Sequence, residues 1–233
     1  MIYLRAILPL ILSLMCFGQK DSKDVISSFN PGGQYILLTF DDGPHAILTP
    51  KLLDILAQKK VKATFFVIGV KAKMHPKILS RMAAEGHEVA NHSWNHPVLS
   101  SLDFPQVKAQ MQKTNRAISD ATGNIPSVMR PPYGNTNPTL NEYISKNESL
   151  KVILWSIDTK DWQRPDSKKI VDTVKSKAKP GDIILCHDIH PGTIEAMPGV
   201  IDALQEKGFE FVTVSQMLSF PDDTPHRSLR GGF

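Results

Sequence analysis

From residue 35 onward, short apolar runs alternate with amphipathic segments, the pattern of repeated strand–helix units. Residues 35–40 read as a buried strand that ends at an acidic turn, Asp41-Asp42-Gly43-Pro44. Thr49-Pro50 supplies an N-cap and a first-turn proline for a helix carrying Leu52, Leu53, Ile55 and Leu56. The β-branched and aromatic stretch 63–68 predicts a second strand. A helix over 75–85 stops at Gly86, and a short strand over 88–91 delivers His92 at its end. Helical periodicity covers 104–122 up to Gly123, residues 127–129 lead into Arg130, and 137–146 predicts another helix. Residues 151–157 read as one strong strand ending at Asp158, and Ser167 caps a helix to about residue 177. A strand over 182–186 ends at His187; a long helix over 194–207 and a brief strand over 209–212 follow.

The positions of the polar residues carry the functional argument. Asp41 and Asp42, His92 and His96, Arg130, Asp158 and His187 each follow a predicted strand at its carboxyl end. In parallel α/β architectures those ends converge on one face, where catalytic groups collect. One carboxylate with two neutral imidazoles completes a three-ligand set for a divalent metal and leaves a position for water. Binding by Asp42 relieves the repulsion between adjacent carboxylates and keeps Asp41 ionised as a base. Metal-assisted hydrolysis is the chemistry this combination predicts.

Each group also has a plainer explanation. Asp-Gly-Pro favours a turn on its own account, and histidines at the spacing of His92 and His96 are common on surfaces. Arg130 serves equally as a partner for Asp41 or as a loop brace, and the two roles are compatible. Pro131 and Pro132 lack amide donors, so the Tyr133 amide is the first one able to face a reacting group. Trp162 lies beyond its strand and is equally a sugar platform or a lone surface aromatic, whereas His187 titrates in the range a general acid needs.

Composition narrows the class. A chain of 233 residues with 41% hydrophobic and 21% charged positions suits one catalytic domain. The net charge of +4 is scattered, with no compact basic run, and predicts no nucleic-acid partner. Arg5, an apolar run over 6–17 and Gly18 read as an export signal, with a retained apolar helix as the alternative. The run is short of the ~20 apolar residues that span a bilayer, so no stable membrane insertion is expected once it is removed. The predicted organisation is a signal peptide over 1–18, a lead-in over 19–34, one domain over 35–220 and a frayed tail over 221–233. The expected location is the periplasm, cell envelope or exterior. Cys16 falls in the signal, leaving Cys186 as a small buried hydrophobe without a disulfide partner.

The blocks 39–44, 92–96, 130–134, 158–162 and 185–188 resemble the ordered motifs of the polysaccharide deacetylases, the NodB-homology proteins of carbohydrate esterase family four. The resemblance covers roughly residues 35–218 and implies a distorted (β/α) barrel of about seven parallel strands. It implies Asp42, His92 and His96 as ligands to a divalent metal, usually zinc, with cobalt or another divalent ion as alternatives. It implies Asp41 as base, His187 as acid, Arg130 as the residue orienting the base and Asp158 as the carboxylate tuning the acid. Tyr133, Trp162 and Leu185 are implied in substrate binding, the last two around the acetyl methyl. The expected substrate is an N-acetylated glycan, peptidoglycan first, with chitin oligomers or a catalytically silent glycan-binding role as alternatives.

Overall fold

The computed structural model describes residues 25–220; the expected signal segment and the expected tail lie outside them. The chain runs β1 (Val25–Ile26), β2 (Tyr35–Asp41), α1 (Leu48–Lys59), β3 (Thr64–Val67), α2 (Gly69–Met74), α3 (Pro76–Ala84) and β4 (Glu88–Asn91). It continues through α4 (Phe104–Thr122), β5 (Val128–Met129), α5 (Pro138–Asn147), β6 (Lys151–Ile153), β7 (Ile157–Asp158) and α6 (Ser167–Lys177). The last elements are β8 (Ile183–His187), α7 (Pro191–Gln205), β9 (Glu210–Phe211) and α8 (Val214–Ser219). Neighbouring strands are parallel in the order β1-β6-β5-β4-β3-β2-β8-β7, and β9 pairs with the start of β2. The result is the expected curled, barrel-like parallel sheet wrapped by helices.

Period-two alternation sorts the strands between two environments. On β2, Ile36, Leu38 and Phe40 pack beneath the helices, whereas Leu37 joins Phe66 and Ala90 inside the curl. Thr39 and Asp41 share the parity of Leu37, so the interior turns from apolar to polar toward the carboxyl end. The same parity on β8 sends Ile184 and Cys186 to the helix side and leaves Ile183, Leu185 and His187 inside. Cys186 is accordingly a buried thiol turned away from the polar end, and burial pushes its pKa up.

The expected strand over 151–157 divides in two. β6 pairs with β5, β7 pairs with β8, and residues 154–156 step from one side of the curl to the other. The Leu154 amide still bonds to Ile26, while two residues later the Ser156 amide bonds to Ile183. Both elements therefore satisfy their backbone groups on different neighbours, which sequence periodicity does not report. β1 lies in the expected lead-in and pairs with β6, so the sheet begins before residue 35. Thr49 does not cap α1: its hydroxyl donates to Asp188 instead, and Ile47 at the N-cap offers no side-chain bond.

Gly181 sets a close crossing beneath the sheet. Its φ is +83°, and a Cβ there would stand 2.2 Å from the Phe29 carbonyl oxygen. Gly181→Ala is expected to cost roughly 1–3 kcal/mol, read as a lower urea midpoint with unchanged m-value. An unchanged midpoint would show that the crossing relaxes freely.

Candidate active site

β2 ends by releasing two carboxylates in different directions. Asp41 is extended from the interior parity, and Oδ1 accepts from Arg130 Nη1 at 2.7 Å. Asp42 has φ +71°, which turns its side chain away from that of Asp41 and toward the loop after β4. There Asp42 Oδ1 lies 3.4 Å from His92 Nε2 and 3.2 Å from His96 Nε2. Ser93 and His96 also take positive φ, so the two imidazoles are brought together by a kinked loop and not by a helix.

The donors fit one divalent cation. The Arg130 carbonyl lies 2.7 Å from His92 Nδ1 and can only accept, so Nδ1 carries the proton and Nε2 offers its lone pair. Asp42 Oδ1 is buried and receives no hydrogen bond. Burial works against its charge, but the two histidines hold the Asp42 carboxyl well below the usual carboxylate range. Ligands about 2.0–2.2 Å from a tetrahedral ion stand ~3.3–3.5 Å apart, close to the separations found here. Among the described residues, Asp42, His92 and His96 form the one such group of ligating side chains.

Four consecutive residues at the start of α2 tie the two ligand loops together. Ile68 N donates to Gly43 O at 3.0 Å, and Lys71 Nζ donates to Asp42 O at 2.8 Å. Gly69 N and Val70 N donate to Ser93 O and Trp94 O, each at 2.9 Å. A Cβ on Gly69 would stand 2.5 Å from the Trp94 ring, so only glycine permits this approach. From the opposite side Asp188, fully buried, packs under Gly43, and burial pushes its carboxyl up to about 7.

Arg130 is fully buried, yet each of its three guanidinium nitrogens donates. Beyond Asp41, Nη1 donates to Thr39 Oγ1 at 2.9 Å, Nη2 to Leu154 O at 2.9 Å and Nε to Ile153 O at 3.3 Å. Its guanidinium lies 4.1 Å from the Phe66 ring centroid. The next residues turn sharply: Tyr133 has φ +62°, is 63% exposed and sets its ring edge on His96 at 4.6 Å.

β8 pairs Asp41 with His187 in direct register, so strand geometry alone places these two side chains opposite one another. The His187 ring is held by Asp161, not by Asp158: Nδ1 lies 2.7 Å from Asp161 Oδ1. Asp161 Oδ2 also accepts from the His187 amide at 2.7 Å and from Thr193 Oγ1 at 2.6 Å. Burial alone would lower the His187 pKa, but its bond to Asp161 and the charges of Asp41 and Asp42 raise it to about 9. Asp158 instead accepts from Lys160 N at 2.7 Å and stabilises the turn. That turn reverses the chain and swings the acid three positions later onto the histidine. The Asp-x-x-Asp spacing was the visible signal, but it does not say which acid turns inward. Leu185 is buried on the interior face beside this pair, and Trp162 stands 53% exposed in the same turn as Asp161.

A parallel α/β barrel carrying such groups at its strand ends defines a class of hydrolases that work with a divalent cation. Within that class the chain matches the polysaccharide deacetylase family over residues 29–150, and it belongs to that family. It is 40% identical over 182 residues to the peptidoglycan-N-acetylglucosamine deacetylase PgdA of Listeria monocytogenes, covering 78% of this chain and 38% of that one. It is 40% identical over 206 residues to a chitooligosaccharide deacetylase of Sinorhizobium fredii, covering 82% of this chain and 95% of that one. The structure of the peptidoglycan deacetylase PdaC from Bacillus subtilis superposes with a TM-score of 0.75 at 40% identity, over 81% of this chain and 92% of that one. The chain spans less than half the length of two of the curated relatives it matches, 38% of PgdA and 43% of PdaC from Bacillus subtilis.

The α2 clasp predicts that Lys71→Met, which keeps the aliphatic stem but removes the donor to Asp42 O, weakens divalent-metal affinity roughly 10-fold. Competition against a chromogenic chelator measures it; wild-type affinity would show that the loop holds its shape unaided.

Proposed function

We propose that this chain removes N-acetyl groups from an N-acetylglucosamine-type polysaccharide, peptidoglycan in the cell envelope before chitin oligomers. The observation that carries the reading is the direct pairing of Asp41 with His187 beside the Asp42–His92–His96 ligand group. Relatives of both substrate classes support the glycan, and the apolar N-terminal run supports export to the envelope. The full-length relatives named for chitooligosaccharides keep chitin oligomers as the second reading.

A divalent cation held by Asp42, His92 and His96, zinc first among them, supplies Lewis acidity toward a carbonyl and acidifies water when bound. The chain's own residues do the rest. Asp41 has Oδ1 committed to Arg130, which leaves Oδ2 to take a proton from the attacking water. The Tyr133 amide, the first donor after Pro131 and Pro132, stabilises the oxyanion that develops on the acyl oxygen. His187, protonated at neutral pH and held at Nδ1 by Asp161, donates from Nε2 to the departing amine. Leu185 and Trp162 give apolar surface for the acetyl methyl. The products are acetate and a free amino sugar.

Three outcomes check this assignment. Chelation abolishes acetate release from N-acetylglucosamine oligomers and from peptidoglycan, and added zinc restores it; release that persists without metal would contradict the proposal. Asp41→Asn keeps metal content but loses at least 100-fold in kcat, as expected for a lost general base; loss of metal with the activity would assign Asp41 to the ligand set instead. Asp161→Asn removes the group that raises the His187 pKa, so the alkaline fall of the pH–kcat profile moves to lower pH. Asp158→Asn leaves that limb in place. The opposite pattern would return the tuning role to Asp158.

A further inference from the structure

Beside the candidate acid lies a cavity whose lining, apart from Asp161, has no part in the proposed reaction. It has a volume of about 450 Å³ and opens between the loop after β7 and the loop after β8, at the same carboxyl end of the sheet as the metal ligands. Asp161, Arg164, Pro165, Ile189, His190 and Gly192 line it. Asp161 is shared with His187, and the His190 ring centroid lies 5.9 Å from that of His187, so the cavity adjoins the reacting centre directly.

Its one permanent cation is unpaired among the described residues. Arg164 is exposed, and among the described residues its guanidinium forms no ion pair or hydrogen bond. Of the nearby acids, Asp161 lines the cavity but is paired with His187 and Thr193, whereas Asp166 and Asp158 accept only from the neutral Lys168 and Lys160 amides and do not line it. Burial pushes the His190 pKa below its ordinary value, so at neutral pH Arg164 supplies the permanent positive charge. Pro165 and Ile189 add apolar wall beside it. An unpaired guanidinium next to a small apolar surface matches a carboxylate carried on a short branched carbon stem.

We propose that Arg164 and this cavity bind a carboxylate of the glycan strand next to the sugar being deacetylated, the lactyl carboxylate of a muramic-acid unit from which the stem peptide has been removed. The proposal rests on the deacetylase reading above and deepens it, because a strand built only of N-acetylglucosamine offers no anion to Arg164. Arg164 is then a specificity-determining residue that selects an anionic glycan over a neutral one.

The test uses the metal-loaded full chain and three substrates of matched length. They are glycan strands of peptidoglycan freed of stem peptides, the same strands with their carboxylates amidated, and chitin oligomers. Arg164→Gln is expected to lower kcat/KM roughly tenfold on the free-carboxylate strands and to leave the other two substrates within about twofold. Wild type is expected to prefer the free-carboxylate strands over the amidated ones by a similar factor, and Arg164→Lys to recover part of the loss. Binding of the same strands to the metal-free protein, followed by tryptophan fluorescence, is expected to weaken in Arg164→Gln in parallel. Equal loss on all three substrates, or no loss on any, overturns the subsite while leaving the deacetylase reading intact. Acetate release by wild type from none of them overturns the deacetylase reading, and the subsite with it.

Discussion

A charge inside a parallel barrel needs polar partners, and Arg130, paired with Asp41, finds them for four of its five N–H donors. Its guanidinium, without solvent exposure, spends its donors on Asp41, Thr39 and two carbonyls where the chain crosses from β6 toward β7. Desolvation lowers the Arg130 pKa, and the adjacent carboxylate opposes that pull. Removing either partner of a buried pair strands the other at a cost of about 3–5 kcal/mol. The pair thus holds the seam of the sheet and one carboxylate oxygen in the same act. Its backbone adds a third effect, since the Arg130 carbonyl selects the His92 tautomer that faces Asp42.

The remaining organisation follows from that anchor. With Asp41 fixed by Arg130, the positive φ of Asp42 sends the neighbouring carboxylate toward the histidine loop, and the start of α2 ties that loop to the acidic turn. On the other flank, the β2–β8 register brings His187 opposite Asp41 without any loop being involved. Rigid strands therefore set the distance between the proposed base and acid, while hydrogen-bonded loops set the ligand group. The two adjacent carboxylates differ in surroundings because only Asp41 meets the buried Arg130 guanidinium, while Asp42 faces the two imidazoles.

Much of this was legible in the chain. Strand-end placement of Asp41, Asp42, His92, His96, Arg130 and His187 followed from apolar runs, because a strand buried on both faces leaves few other readings. What periodicity could not supply was anything decided by non-local pairing. The run over 151–157 has only Lys151 and Ser156 as polar positions and no turn residue between them, so its division between two neighbours is invisible until β5 and β8 are in place. Asp158 and Asp161 are alike in type, and only the turn after β7 determines that Asp161 reaches His187. Thr49 carries a valid capping signal that a buried acid, Asp188, takes for itself. The clasp by Lys71 and Gly69 left no trace because each residue contacts a segment more than twenty positions away.

The central claim is that Asp42, His92 and His96 share one cation while Asp41 stays outside its coordination. A crystal soaked with zinc and measured on both sides of the zinc absorption edge tests this directly. The account predicts a single anomalous peak bonded to Asp42 and to the Nε2 atoms of His92 and His96, with Asp41 still paired to Arg130. A peak bonded to Asp41, or one lying away from these three side chains, would contradict it.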